Sequence, residues 1–236
     1  WEKRRAQELV FRNLRAGAAF NVLAMVICAW LMAQSTDGSL QARALLVWAI
    51  TGGLVEASRL AAVRHFRAWQ NRHPYRYWRQ LHLALSTVSG LHMASLSILL
   101  FPTGDPAAQS IVTSLVVGTL AVSAWMNVAS PSAFASFAYI ASLPLIVQLA
   151  VSNEPTGIGA AVLIAVVVIG ATTACDEVAA LIHHNLAITK AFHDKIVNES
   201  KLSLLNREQF SAQTAAASLA SKSSGDRLAV LLIDLD

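Results

Sequence analysis

Charge is what this sequence has least of. Of its 236 residues only 14 are Asp or Glu and 18 are Lys or Arg, so 14% are charged against 55% hydrophobic. That balance excludes an ordinary soluble domain of this size, and it equally excludes a disordered chain, which needs high charge and few apolar residues. Cysteine is nearly missing. Cys28 and Cys175 lie in apolar stretches expected at different depths of a bilayer, which rules out a disulfide framework. A secretory signal pattern is also lacking. The chain opens on Trp1 rather than Met, so further sequence is expected before it.

Apolar runs are abundant. A span of about 20 apolar residues covers the hydrocarbon core of a bilayer, and six stretches meet that length: 16–33, 43–63, 81–101, 107–129, 132–151 and 157–180. The intervals QSTDGS, FPTGDP, ASPS and SNEPTG carry helix-breaking Pro and Gly with polar neighbours. A longer interval, 62–80, holds Arg64, Arg67, Arg72, Arg76 and Arg79 and no acid, and the N-terminal tail adds Lys3, Arg4, Arg5, Arg12 and Arg15. The opposite loops hold Asp37, Asp105 and Glu154 and no base. The positive-inside rule then puts both termini in the cytoplasm of a multi-pass protein. The net charge of +4 follows from orientation and anionic headgroups, so no nucleic-acid partner is implied. Trp69, Tyr75, Tyr77 and Trp78 are expected to form an interfacial aromatic belt.

The last span does not end at the membrane. Past Gly170 no Pro or Gly interrupts the helical pattern until Gly225, which predicts one helix running into a cytoplasmic stalk, 181–200. Leu181, Ile188, Phe192 and Ile196 give that stalk an apolar stripe suited to a parallel homodimer. Residues 207–222 read as an Ala-rich helix, SSGD as its stop, and LAVLLI, 228–233, as a buried strand. Asp234 and Asp236 then stand at the strand's carboxyl end, where open sheets bind ligands and where carboxylates suit Mg²⁺ and a nucleoside triphosphate.

From residue 201 the sequence resembles the opening of a GGDEF domain, the catalytic domain of bacterial diguanylate cyclases. Leu204, Leu205, Asn206, Arg207 and Phe210 match the later half of the family's opening pattern, D-x-L-T-G-L-x-N-R with the start of its next helix, and Asp234-Leu235-Asp236 matches the end of its first strand. Glu199 or Ser200 stands where the family has Asp. The spans and charges give a mainly α, polytopic protein with a cytoplasmic segment 1–15, a six-transmembrane-helix bundle 16–180 and a helical stalk 181–200, and the resemblance implies that the bundle is a sensor module, the stalk a signalling linker, and 201–236 the start of an α/β GGDEF domain. It implies Mg²⁺ held by Asp234 and the backbone carbonyl of Leu235, GTP as substrate, cyclic di-GMP as product, and a symmetric homodimer in the bacterial inner membrane. The signature turn would come after position 236, so catalysis belongs to a longer chain. Two alternatives stand beside this: a degenerate domain regulating a cyclic di-GMP phosphodiesterase, and a small transporter or channel.

Ionisable groups inside spans are the places to look for a sensing site, because burying each in lipid costs about 2.5–3.5 kcal/mol on insertion scales. Glu56 and Arg59 lie three apart on the second span, and Asp176 and Glu177 lie near the inner end of the sixth. An ion pair of Arg59 with Glu56 or with Asp176 is expected, facing protein. His92 is mid-span and is expected to be packed rather than to ligate metal or haem, and Met93, Trp125 and Met126 are expected to be packing. His183 and His184 point about 100° apart on a helix, so they do not form one site. Small residues in the fourth and fifth spans, Gly118, Ala121, Ser123, Ala133, Ala135 and Ser136, predict close helix approach, and Pro144 predicts a kink.

Overall fold

The computed structural model describes residues 2–35, 39–70, 72–102, 104–152, 155–201, 207–224 and 229. Seven helices account for nearly all of them: α1 (Glu2–Ser35), α2 (Ser39–Trp69), α3 (Tyr75–Leu99), α4 (Pro106–Met126), α5 (Pro131–Val151), α6 (Pro155–Lys201) and α7 (Arg207–Ser224). The first six are long and apolar enough to cross a membrane, which makes this a multi-pass helical membrane protein. Among the described residues there is no strand. The expected strand at 228–233 lies outside them except for Ala229, which is in no regular element, and Asp234, Leu235 and Asp236 also lie outside.

The chain divides into two compact units, residues 1–186 and 187–236. In the first, turn chemistry sets the helix starts. Asp105 caps α4, accepting from the backbone N–H groups of Ala107 and Ala108 at 3.0 and 3.1 Å, with Pro106 as the first helical residue. Pro131 and Pro155 open α5 and α6 in the same way. Pro144 lies inside α5, which nevertheless continues to Val151. The basic interval 62–80 is a correction to the reading of a long loop. Helix α2 continues to Trp69 and α3 begins at Tyr75, because Ala, Arg, Gln and Trp sustain a helix after the apolar run has ended.

The bundle core is mainly apolar, with a polar patch set into it, and the outer face is apolar too. The α3 face turned to the core carries His82, Ser86, Ser89, Gly90, Met93 and Ser97, while Val88, Leu91, Ile98 and Leu99 are exposed. Its most extensive packing is with α5. A Cβ added at Gly90 would stand 3.1 Å from the Phe137 carbonyl oxygen, so glycine is what lets the two backbones come together, and Thr87 and Ser136 share a hydrogen bond across the same seam at 2.7 Å. Close approach thus falls between α3 and α5; of the small residues expected to mediate it, Ala133 and Ser123 are buried and Ala121 is exposed.

One end of the bundle is defined by aromatic packing. Phe11 of α1 stacks on Phe66 of α2 at 4.3 Å, and both meet Trp78 of α3 edge-on, at 5.9 and 5.1 Å. Trp78 is therefore core rather than belt, whereas Trp69, Tyr75 and Tyr77 are exposed. Gln7 donates to the Tyr75 carbonyl at 3.2 Å, and the α4–α5 turn at Ala129 and Ser130 lines the same small cleft. At this end, too, Leu186 of α6 shares a cleft with Arg5, Glu8 and Arg12. The start of α1, the α2–α3 turn with its arginines and the α4–α5 turn thus lie together, as an alternating six-span topology requires.

Candidate functional site

Three residues on α2 bring Glu56 and Arg59 onto one face. Arg59 donates through Nη1 to Glu56 Oε1 at 3.1 Å and to Oε2 at 3.4 Å, and each side chain is only 3% exposed. Asn21, one helix away on α1, donates Nδ2 to the same Oε1 at 3.0 Å. A carboxylate, a guanidinium and an amide therefore form one buried network between two spans, which is the condition under which a charge pair is tolerated in an apolar interior.

Polar groups from α3 and α4 surround it. His82, Ser86 and Ser89 line the core face of α3, and Thr119 and Ser123 the core face of α4. Asn127, at the end of α4, donates to the Ser123 carbonyl at 2.8 Å and to its hydroxyl at 3.0 Å. His82 lies beside both Arg59 and Asn127. Several atoms in this core have no protein hydrogen-bond partner: Asn21 Oδ1, Arg59 Nε, Ser86 Oγ, Ser89 Oγ and His92 Nε2. Each of these atoms calls for a partner, since leaving one bare costs about 1–3 kcal/mol.

His92 is half-buried, stacked on Trp48 at 4.9 Å and 13°, with Trp48 Nε1 donating to its carbonyl at 3.2 Å. Met93 and Met126 are buried and Trp125 is exposed. Asp176 and Glu177 are exposed on α6, as are His183 and His184. The carboxylate that meets Arg59 is thus Glu56, its neighbour on the same helix. Among the described residues no group of three His, Cys, Asp or Glu side chains is placed to hold a metal ion.

A second cluster lies at the α2–α3 turn. His73 stacks on Tyr77 at 4.5 Å, the Tyr77 hydroxyl is 3.4 Å from His65 Nε2, and Arg72 sits over the Trp69 ring at 4.5 Å. These are packing and cation–π contacts of an end cap. The polar core is the site with functional potential, and its chemistry is that of a charge-compensated network rather than of a nucleophile with a base. Sequence reasoning found Glu56, Arg59 and His92. It passed over Asn21, His82, Ser86, Ser89 and Asn127, although a polar residue every three or four positions, from His82 to Ser97, was the available signal. Compared with protein-family models, with curated proteins and with solved structures, the chain matches none.

Proposed function

We propose that the protein is a membrane receptor whose six-span bundle controls a cytoplasmic diguanylate cyclase domain beginning near residue 201. The observation that carries this reading is the order of parts after the sixth span. The helix that crosses the membrane continues unbroken to Lys201, Leu204-Leu205-Asn206-Arg207 comes next, α7 occupies Arg207–Ser224, and the sequence returns as LAVLLIDLD. A helix in that position is what the family places between its opening motif and its first strand. Leu181, Ile188 and Phe192, exposed in the single chain, supply an apolar stripe for pairing two stalks.

In this reading the basic end of the bundle faces the cytoplasm of a bacterium and both termini lie there. Asp234 supplies a carboxylate and Leu235 a carbonyl oxygen, hard donors of the kind Mg²⁺ takes. Those two groups would hold the ion, which would supply charge neutralisation to the triphosphate of GTP as a neighbouring 3′-hydroxyl displaces pyrophosphate from the α-phosphorus. Each domain holds one GTP, so two chains must meet face to face, and a change in the pairing of the stalks alters how often the half-sites align.

The test is direct. Full-length protein in lipid, given GTP and Mg²⁺, should make cyclic di-GMP, and Asp234→Ala should abolish the product while membrane insertion is unchanged. Full turnover by that variant would overturn the assignment of Asp234. A wild-type protein that made none but altered an attached phosphodiesterase would convert the reading to that of a regulatory domain.

A further inference from the structure

We propose that the polar core holds a binding site for a single water molecule, bridging Asn21 of α1 to Ser89 and His92 of α3. The inference stands on the bundle alone and does not depend on the cyclase reading. A cavity of about 10 Å³ lies beside the ion pair, lined by Asn21, Gly52, Glu56, Ser89, His92 and Thr119. That volume is the lower bound for one water, which needs roughly 10–15 Å³, and it excludes haem, a nucleotide or any organic ligand.

The polar partners are in place. Asn21, Ser89 and His92 all line the cavity, and Asn21 Oδ1, Ser89 Oγ and His92 Nε2 are buried with no protein partner. Asn21 and Ser89 are 5% and 4% exposed, so bulk solvent does not reach them. Two of the three side chains are held in place by other contacts. The Asn21 amide is turned by its bond to Glu56, which fixes Nδ2 on the carboxylate and leaves Oδ1 as an acceptor. Stacking on Trp48 holds the His92 ring. Three partners match the typical coordination of a buried water: it donates to Asn21 Oδ1 and exchanges hydrogen bonds with the serine hydroxyl and the imidazole nitrogen, either of which can donate or accept.

Gly52 keeps the space open. A Cβ there would stand 2.6 Å from His92 Nε2 and would also run into Met25. The water is one hydrogen-bonded group removed from Glu56, and so extends the polar surroundings that a buried ion pair needs.

Radiolytic hydroxyl-radical footprinting of the full chain in lipid nanodiscs tests this, because water activated inside a protein oxidises the side chains it touches. The chain's four methionines provide the comparison. Met25 and Met93 line the cavity at 4% exposure each, while Met32 and Met126 are 0% exposed and line no part of it. The expected result is dose-dependent oxidation of Met25 and Met93 several-fold faster than of Met32 and Met126. In Gly52→Ala, with helicity and monodispersity unchanged, the rates at Met25 and Met93 should fall to that of Met126. Equal rates at all four methionines in the native chain would overturn the proposal, as would labelling of Met25 and Met93 in Gly52→Ala at the native rate. The native-chain result stands even if the variant fails to fold.

Discussion

At the scale of single residues, the question is why an apolar bundle tolerates Glu56 and Arg59. The two charges neutralise each other at 3.1 Å, and Asn21 meets one carboxylate oxygen. Removing one partner leaves a bare charge, so Glu56→Ala or Arg59→Ala should each destabilise the bundle by about 3–5 kcal/mol, whereas Glu56→Gln with Arg59→Met should restore most of that loss. Asn21→Ala should cost about 1.5–3 kcal/mol, the range for a hydrogen bond to a charged group. Unfolding titrations in mixed micelles would measure all four variants; equal stability of the single and double variants would show that the pair is not coupled. The charges were legible in the sequence, but Arg59 could have met either Glu56 or Asp176, and only the structure shows that Glu56 is the partner. Asn21 and Asn127 were not legible, because a single neutral polar residue in a span gives no sign of which way its helix is turned.

At the scale of elements, α3 inverts the usual pattern. Ser86, Ser89, Ser97, Gly90 and His82 face inward while Val88, Leu91, Ile98 and Leu99 face outward, because lipid favours exposed apolar side chains and close backbone contact favours small ones. Gly90 is the sharpest case. Gly90→Ala should push α3 from α5 and cost about 1–3 kcal/mol, the usual penalty of overpacking. Gly118→Ala, where an added Cβ meets nothing within 4 Å, should be neutral or stabilising by about 0.5–1 kcal/mol. Melting temperatures of the two variants in the same detergent would check this, and equal shifts would contradict it. The six spans could be read from apolar length, and Pro106, Pro131 and Pro155 marked the helix starts. Helix ends in the arginine-rich interval could not be read in the same way. Hydropathy reports where lipid ends, and α2 and α3 extend beyond that point.

At the scale of the whole molecule, six helices are long and apolar enough to cross a membrane, and the sixth runs on to Lys201. Arg64, Arg67, Arg72, Arg76 and Arg79 belong to the same end of the bundle as the start of α1 and the α4–α5 turn, so the charge pattern and the packing describe one topology. The α/β domain beyond residue 201 rested on a resemblance of short motifs, and its strand and acids fall outside the described residues. The most direct measurement is therefore of sidedness, with reporters active on only one face of a bacterial inner membrane fused after Arg72, Gly104, Ala129, Ser152 and Ser224. Cytoplasmic signal after Arg72, Ala129 and Ser224, with periplasmic signal after Gly104 and Ser152, is the predicted result. A periplasmic Ser224 would contradict it, because the helix leaving the sixth span would then open away from GTP.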